Sequence, residues 1–186
     1  MTAQTDWCAL FDWDGVVIDS SRLHEKSWEW MAAEFGLPLP NGHFRRGFGM
    51  KNERIIPEVL GWAGEPTGIG KLAARKEARY RELVMEEGLE PLPGVGIWIQ
   101  RLHDAGVPCA IASSTDRANI DCVLDRIGFR RFFTAIVSGD EVTHGKPAPD
   151  IFLKAAAKLG KLPALVFEDA LVGIEAAHRA GMRVVA

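Results

Sequence analysis

Apolar and polar positions fall into two alternating kinds of segment along this chain. Short continuous apolar runs, each ending in polar or acidic residues, recur as CALFDWD at 8–14, PCAIASS at 108–114, AIVSGD at 135–140, LVFED at 165–169 and RVVA at 183–186. Runs of this length with no polar face are the pattern of parallel strands covered by helices on both sides. Between them the spacing turns helical. Gly94 to Ala105 repeats Ile97, Trp98, Leu102 and Ala105, Arg117 to Ile127 repeats Ile120, Val123, Leu124 and Ile127, and Asp150 is placed to cap a helix reaching Leu159. Strand alternating with helix predicts an α/β fold with a doubly wound, Rossmann-like parallel sheet, its active site at the carboxyl ends of the strands.

Residues 15–107 separate the first strand from the second, far more than a crossover helix needs, so they are expected to hold a packed unit of their own. Within them Ser20 to Phe35 repeats Leu23, Ser27, Trp28, Met31 and Phe35 at helical spacing, and Ile69 to Glu87 repeats Ile69, Leu72, Ala73, Tyr80, Leu83 and Val84. This predicts an inserted α-helical cap domain over the strand ends, hinged near Gly15 to Ser20 and in the Gly- and Pro-rich GLEPLPGVG at 88–96. The division expected is a core of residues 1–16 and 92–186 and a cap of residues 17–91. The chain stops at RVVA as a fifth strand begins, and such a sheet is expected to continue with another helix and strand.

Composition narrows the partners. The chain has 186 residues, 47% of them apolar, enough for a buried core, and a net charge of −3 with no gathering of Lys and Arg that would neutralise a nucleic-acid backbone. No apolar run approaches the ~20 residues needed to span a bilayer, and MTAQTDWCALF has neither the basic flank nor the long apolar stretch of a leader, so a cytoplasmic protein is expected. Cys8, Cys109 and Cys122 sit inside apolar stretches and read as reduced core residues.

The strand ends carry the chemistry. FDWDG places Asp12 and Asp14 two residues apart, where both carboxylates can aim into one site, and Gly15 lets the chain turn. Taken alone, the pair reads equally well as loop caps. The second strand ends in Ser113, Ser114 and Thr115 ahead of a helix, an arrangement that can hold an anion. The third leads to HGKPAPD, where two prolines stiffen the loop carrying Lys146. The fourth ends in Glu168 and Asp169, which would repel Asp12 unless a cation sits among them, and hard oxygen ligands suit Mg²⁺.

Four strand ends bearing Asp/Asp, Ser, Lys and Glu/Asp in this order resemble the four motifs of the haloacid dehalogenase superfamily, over essentially the whole chain. GKPAPDIF, EDALVGIEAAHRAG and an insertion after the first motif are similar to the branch that holds phosphoglycolate phosphatase, sugar-phosphate phosphatases and beta-phosphoglucomutase. The resemblance implies that Asp12 is the nucleophile that forms an aspartyl-phosphate and that Asp14 is the general acid and base. It implies a Mg²⁺ ion on Asp12, the Asp14 backbone carbonyl and Asp169, with Glu168 coordinating directly or through water, and phosphoryl binding by Ser113, Ser114 and Lys146. The substrate it implies is a small phosphate ester, taken by a monomer or weak homodimer. Phosphatase activity is the leading expectation and a sugar phosphomutase the alternative.

In the cap, Lys76 falls on the apolar stripe of its helix, where a solvated rim lysine and one facing the cleft are both consistent with the spacing. His24 and Trp28 form an HxxxW pattern that is also similar to the mutase group. RRGFGMKNERI resembles the substrate-specificity loop, with Lys51 and Asn52 as candidate contacts. Asn52 stands about where a mutase presents an arginine for a second phosphate.

Overall fold

The five apolar runs form five short strands: β1 (Cys8–Phe11), β2 (Cys109–Ala112), β3 (Phe133–Val137), β4 (Ala164–Phe167) and β5 (Arg183–Val185). The computed structural model describes residues 5–47, 50–160 and 163–186. The strands pair in parallel in the order β3-β2-β1-β4-β5. The two neighbours of β1 therefore lead away in opposite directions of strand order, which is where an open α/β sheet forms its crevice. Register brings the strand ends level, with Phe11 paired to Ile111 on one side and to Phe167 on the other. Every residue of β1 and β2 is buried, as expected of central strands covered on both faces.

In chain order the helices are α1 (Ser21–Phe35), α2 (His43–Gly47), α3 (Asn52–Arg54), α4 (Pro66–Glu87), α5 (Val95–Asp104), α6 (Arg117–Ile127), α7 (Asp150–Leu159) and α8 (Leu171–Arg179), with a π-helical turn at Ile55–Leu60. The chain divides into two compact units, Met1–Ser20 with Leu89–Ala186, and Ser21–Gly88. In the first, here the core unit, the sheet packs against α7 and α8 through Leu10, Ala110, Val137, Ile151, Phe152, Val166 and Ala176. The second, the helical unit, has its own apolar centre of Trp28, Ile55, Ile56, Val59 and Leu60. Phe48 and Gly49 of the RRGFGMKNERI segment lie outside the described residues. Among the described residues no helix is long and apolar enough to cross a membrane.

Some local expectations are corrected. In α5 the buried residues are Ile99 and Leu102, while Ile97 is 65% and Trp98 40% exposed. Five closely spaced apolar residues in that helix offer two overlapping stripes, and only one can face the sheet. Trp98 instead sets its ring edge on Phe167, at 6.1 Å. Asp150 does not cap α7, because Pro149 occupies the cap position and the Asp150 carboxylate lies 3.1 Å from His144 Nδ1. Phe35, at the end of α1, is 50% exposed. Cys8 and Cys109 are buried and Cys122 half-buried, all three in the reduced form. Burial, with Cys8 nearby, pushes the Cys109 thiol up to about 12.

Candidate active site

β1 ends at Phe11, yet Asp12 stays in the ladder, its N–H donating to the Phe167 carbonyl at 3.0 Å. The chain then turns through Gly15, whose φ of 84° suits glycine. A β-carbon at Gly15 would lie 2.1 Å from Asp169 Oδ2, so the missing side chain is what admits that carboxylate beside the turn. Gly173 in α8 does the same for Glu168, whose Cδ would be 2.0 Å from an added β-carbon. Two glycines thus clear the space in which two acids approach Asp12.

Lys146 fills the centre of this group. Its ammonium is 2.8 Å from Asp12 Oδ1 and 2.6 Å from Glu168 Oε2, and its side chain is 6% exposed. The second Glu168 oxygen accepts the Ala170 N–H at 2.9 Å. Oxygens of Asp12, Glu168 and Asp169 all lie within 4.8 Å of one another. Burial and then the charge of Asp12 raise the carboxyls of Glu168 and Asp169 above their ordinary values. Burial pulls Lys146 down, but Asp12 and Glu168 outweigh it and hold the ammonium above its usual range. Three acids face one lysine. This surplus of negative charge in a set of hard oxygen donors fits a divalent cation such as Mg²⁺.

The loop after β2 meets the same edge. Ser113 is buried, its N–H bonded to the Val137 carbonyl at 3.0 Å and its hydroxyl accepting the Thr115 N–H at 3.2 Å. Ser114 is exposed. Asp14 points to two hydroxyls: Thr115 Oγ1 donates to its Oδ2 at 2.5 Å and Ser20 Oγ donates to its Oδ1. Asp12, Asp14, Ser113, Lys146, Glu168 and Asp169 are therefore gathered at one sheet edge. Ser20 was not legible as a partner of Asp14, and Thr115 read only as part of an anion-holding loop.

The helical unit holds a second polar group. Lys76, 3% exposed, lies 2.7 Å from His24 Nδ1 and 2.9 Å from Glu77 Oε1, and Asn52 Nδ2 donates to the same Glu77 oxygen at 2.7 Å. The Lys76 ammonium sits 5.1 Å from the Trp28 ring centre, and His24 stacks on Tyr80 at 4.0 Å. Loss of water, with Lys76 adjacent, pushes His24 down to about 3, so the imidazole is neutral at pH 7. Burial raises Glu77, but Lys76 and the Asn52 hydrogen bond prevail and hold it at about 2. His24, Trp28, Asn52 and Lys76 thus come together, joined by Glu77 and Tyr80, which the sequence did not single out for this role. Lys51 stands exposed at the start of α3, outside the cluster.

Three comparisons bear on this geometry. A family model described as haloacid dehalogenase-like hydrolase matches residues 8–181. The chain is 33% identical to the fructose-1-phosphate phosphatase of Escherichia coli over 93% of its own length and 92% of that protein's. It is 37% identical to the chloroplastic 5-amino-6-(5-phospho-D-ribitylamino)uracil phosphatase of Arabidopsis thaliana over 96% of itself, and spans only 48% of that longer protein. Its structure is similar to that of CbbY from Rhodobacter sphaeroides, solved in complex with phosphate, with a TM-score of 0.86 and 27% identity over 96% of this chain and 84% of that one.

Proposed function

Because the chain belongs to the haloacid dehalogenase-like hydrolase family, we propose that it is a Mg²⁺-dependent phosphatase of small phosphorylated metabolites, of the sugar-phosphate or phosphoglycolate type. The observation that carries this reading is the convergence of Asp12 with Lys146, Glu168 and Asp169 at one strand end, with Asp14 two residues further on. An Asp12 carboxylate oxygen attacks phosphorus while the ester bond breaks, and the departing oxygen takes its proton from Asp14. Asp14 then accepts a proton from the water that attacks the aspartyl-phosphate, which frees Asp12 and inorganic phosphate. Ser113 and Lys146 bind the phosphoryl oxygens, and Lys146 offsets the charge on Asp12. Asp12, Asp169 and the Asp14 carbonyl would hold Mg²⁺, supported by Glu168. When bound, the ion neutralises charge that builds on the transferring group.

Substrate selection is assigned to His24, Trp28, Lys51, Asn52 and Lys76 of the helical unit. A phosphomutase is the second reading, favoured by the contact of His24, on the HxxxW helix, with Lys76 of α4. Asn52 counts against it, since its amide is engaged by Glu77 and brings no cation for a second phosphate. The test is phosphate release from an aryl phosphate and from ketose 1-phosphates, with and without Mg²⁺. Activity that needs the metal and disappears in Asp12→Asn is expected. Undiminished release by that variant overturns the covalent assignment, and conversion of β-glucose 1-phosphate to glucose 6-phosphate with a bisphosphate primer would favour the mutase.

A further inference from the structure

We propose that Thr115 is a positioning residue for Asp14, fixing the direction of its carboxylate for both proton transfers; this rests on the reading of Asp14 as general acid and base. Asp14 lies beyond the end of β1, where its backbone makes only an isolated bridge to Ile18 of its own turn, and that bridge leaves the direction of the side chain open. Its two oxygens instead accept hydroxyls from two separate segments, Thr115 after β2 and Ser20 just ahead of α1. Two anchors on opposite oxygens define the plane of a carboxylate, which one anchor does not.

Thr115 is itself held in place. Its N–H bonds to Ser113 Oγ at 3.2 Å, and its carbonyl accepts the Gly139 N–H at 3.1 Å. Gly139 comes so close to this loop that an added β-carbon would lie 2.3 Å from the Ser114 carbonyl oxygen. The loops after β2 and β3 therefore lock together beneath the hydroxyl, and its β-branched side chain has few rotamers to explore. Capping does not account for Thr115, because the cap position of α6 is Asp116. The hydroxyl is spent on a carboxylate 101 residues away in sequence.

The consequence is kinetic. A carboxylate free to rotate reaches the leaving oxygen or the water in fewer of its conformers, and a misplacement of about 1 Å can lower the rate roughly 100-fold. With an aryl phosphate and saturating Mg²⁺, Thr115→Val in the full chain is expected to lower kcat roughly 10- to 100-fold, with KM and melting temperature unchanged. Thr115→Ser restores wild-type kcat. Asp14→Asn is expected to lose about 10²- to 10⁴-fold, and Asp14→Asn/Thr115→Val falls no further, because the hydroxyl acts only through that carboxylate. Thr115→Ala carries the same test should the valine variant fail to fold. A wild-type kcat in Thr115→Val, equal defects in the serine and valine variants, or a further drop in the double variant overturns the proposal. A wild-type rate in Asp14→Asn overturns instead the reading beneath it, and the two failures are told apart by that single variant.

Discussion

The core unit and the helical unit each bury a lysine against a glutamate at nearly the same distance, Lys146 to Glu168 at 2.6 Å and Lys76 to Glu77 at 2.9 Å, yet the surroundings differ in charge. Around Lys146 stand Asp12, Glu168 and Asp169, so negative charge is in surplus and the carboxyls of Glu168 and Asp169 are pushed up. Around Lys76 the described residues place one carboxylate, a neutral imidazole and an amide, so among them the charges balance, and Glu77 is pushed down to about 2. The same ion pair can thus belong to a site that invites a cation or to one already closed on itself. A surplus is what charge-neutralising chemistry requires. Balance suits a cluster that holds a shape or offers hydrogen bonds to uncharged groups.

The sharpest way to break this contrast is to remove each lysine. Lys146→Met leaves three acids facing one another without their cation, and loss of one such preorganised group is expected to lower kcat roughly 10²- to 10³-fold. Because the repulsion is between carboxylates, millimolar Mg²⁺ should raise the melting temperature of this variant more than that of the wild type. An equal shift in the two proteins would mean that the surplus charge is not what the metal relieves. Lys76→Met strands the Glu77 carboxylate, which is expected to cost about 3–5 kcal/mol, measured by urea unfolding. Lys76→Met/Glu77→Gln should recover most of that loss, since a neutral pair replaces a balanced one. A double variant as unstable as the single would show that packing, not charge, holds the cluster.

How much of this was legible in the sequence follows the range of each interaction. β1, β2 and β4 are unbroken apolar runs that end in Asp, Ser or Glu, so strand, direction and site edge could be read together from a few adjacent residues. The face of α5 could not, because Ile97, Trp98, Ile99 and Leu102 support two stripes, and the choice depends on how the helix meets the sheet. Thr115 was missed as Asp14's partner for a related reason, and Ser20, six residues from Asp14, because it read as part of a hinge. A hydroxyl's partner 101 residues away leaves no local pattern. Glu77 was missed because a glutamate next to a lysine on a charged helix reads as solvated surface, and only tertiary packing turns the pair inward.

The smallest of the predicted effects separates the two units by pH. His24 titrates at about 3 when folded and near its ordinary 6.5 when unfolded, so between those values the unfolded chain holds a proton that the folded one refuses. Stability from this group therefore falls as pH drops below 6.5, by about 1.4 kcal/mol per unit and roughly 2 kcal/mol at pH 5. Glu77 adds to the loss only lower down, since its contribution is complete above 4.5 and disappears as pH falls toward 2. Glu168 and Asp169 have the opposite sign. Their raised carboxyls take up protons more readily in the folded state, so acidification through their range relieves the core instead of straining it. Amide hydrogen exchange at pH 7 and pH 5, compared at equal intrinsic exchange rates, resolves the two units. Protection in α1 and α4 is expected to fall with the pH while that of β1 and β4 holds, and His24→Asn, which never charges, should flatten the response of the helices. If α1 and α4 lose protection equally in wild type and His24→Asn, the imidazole is not the group that the helical unit keeps neutral.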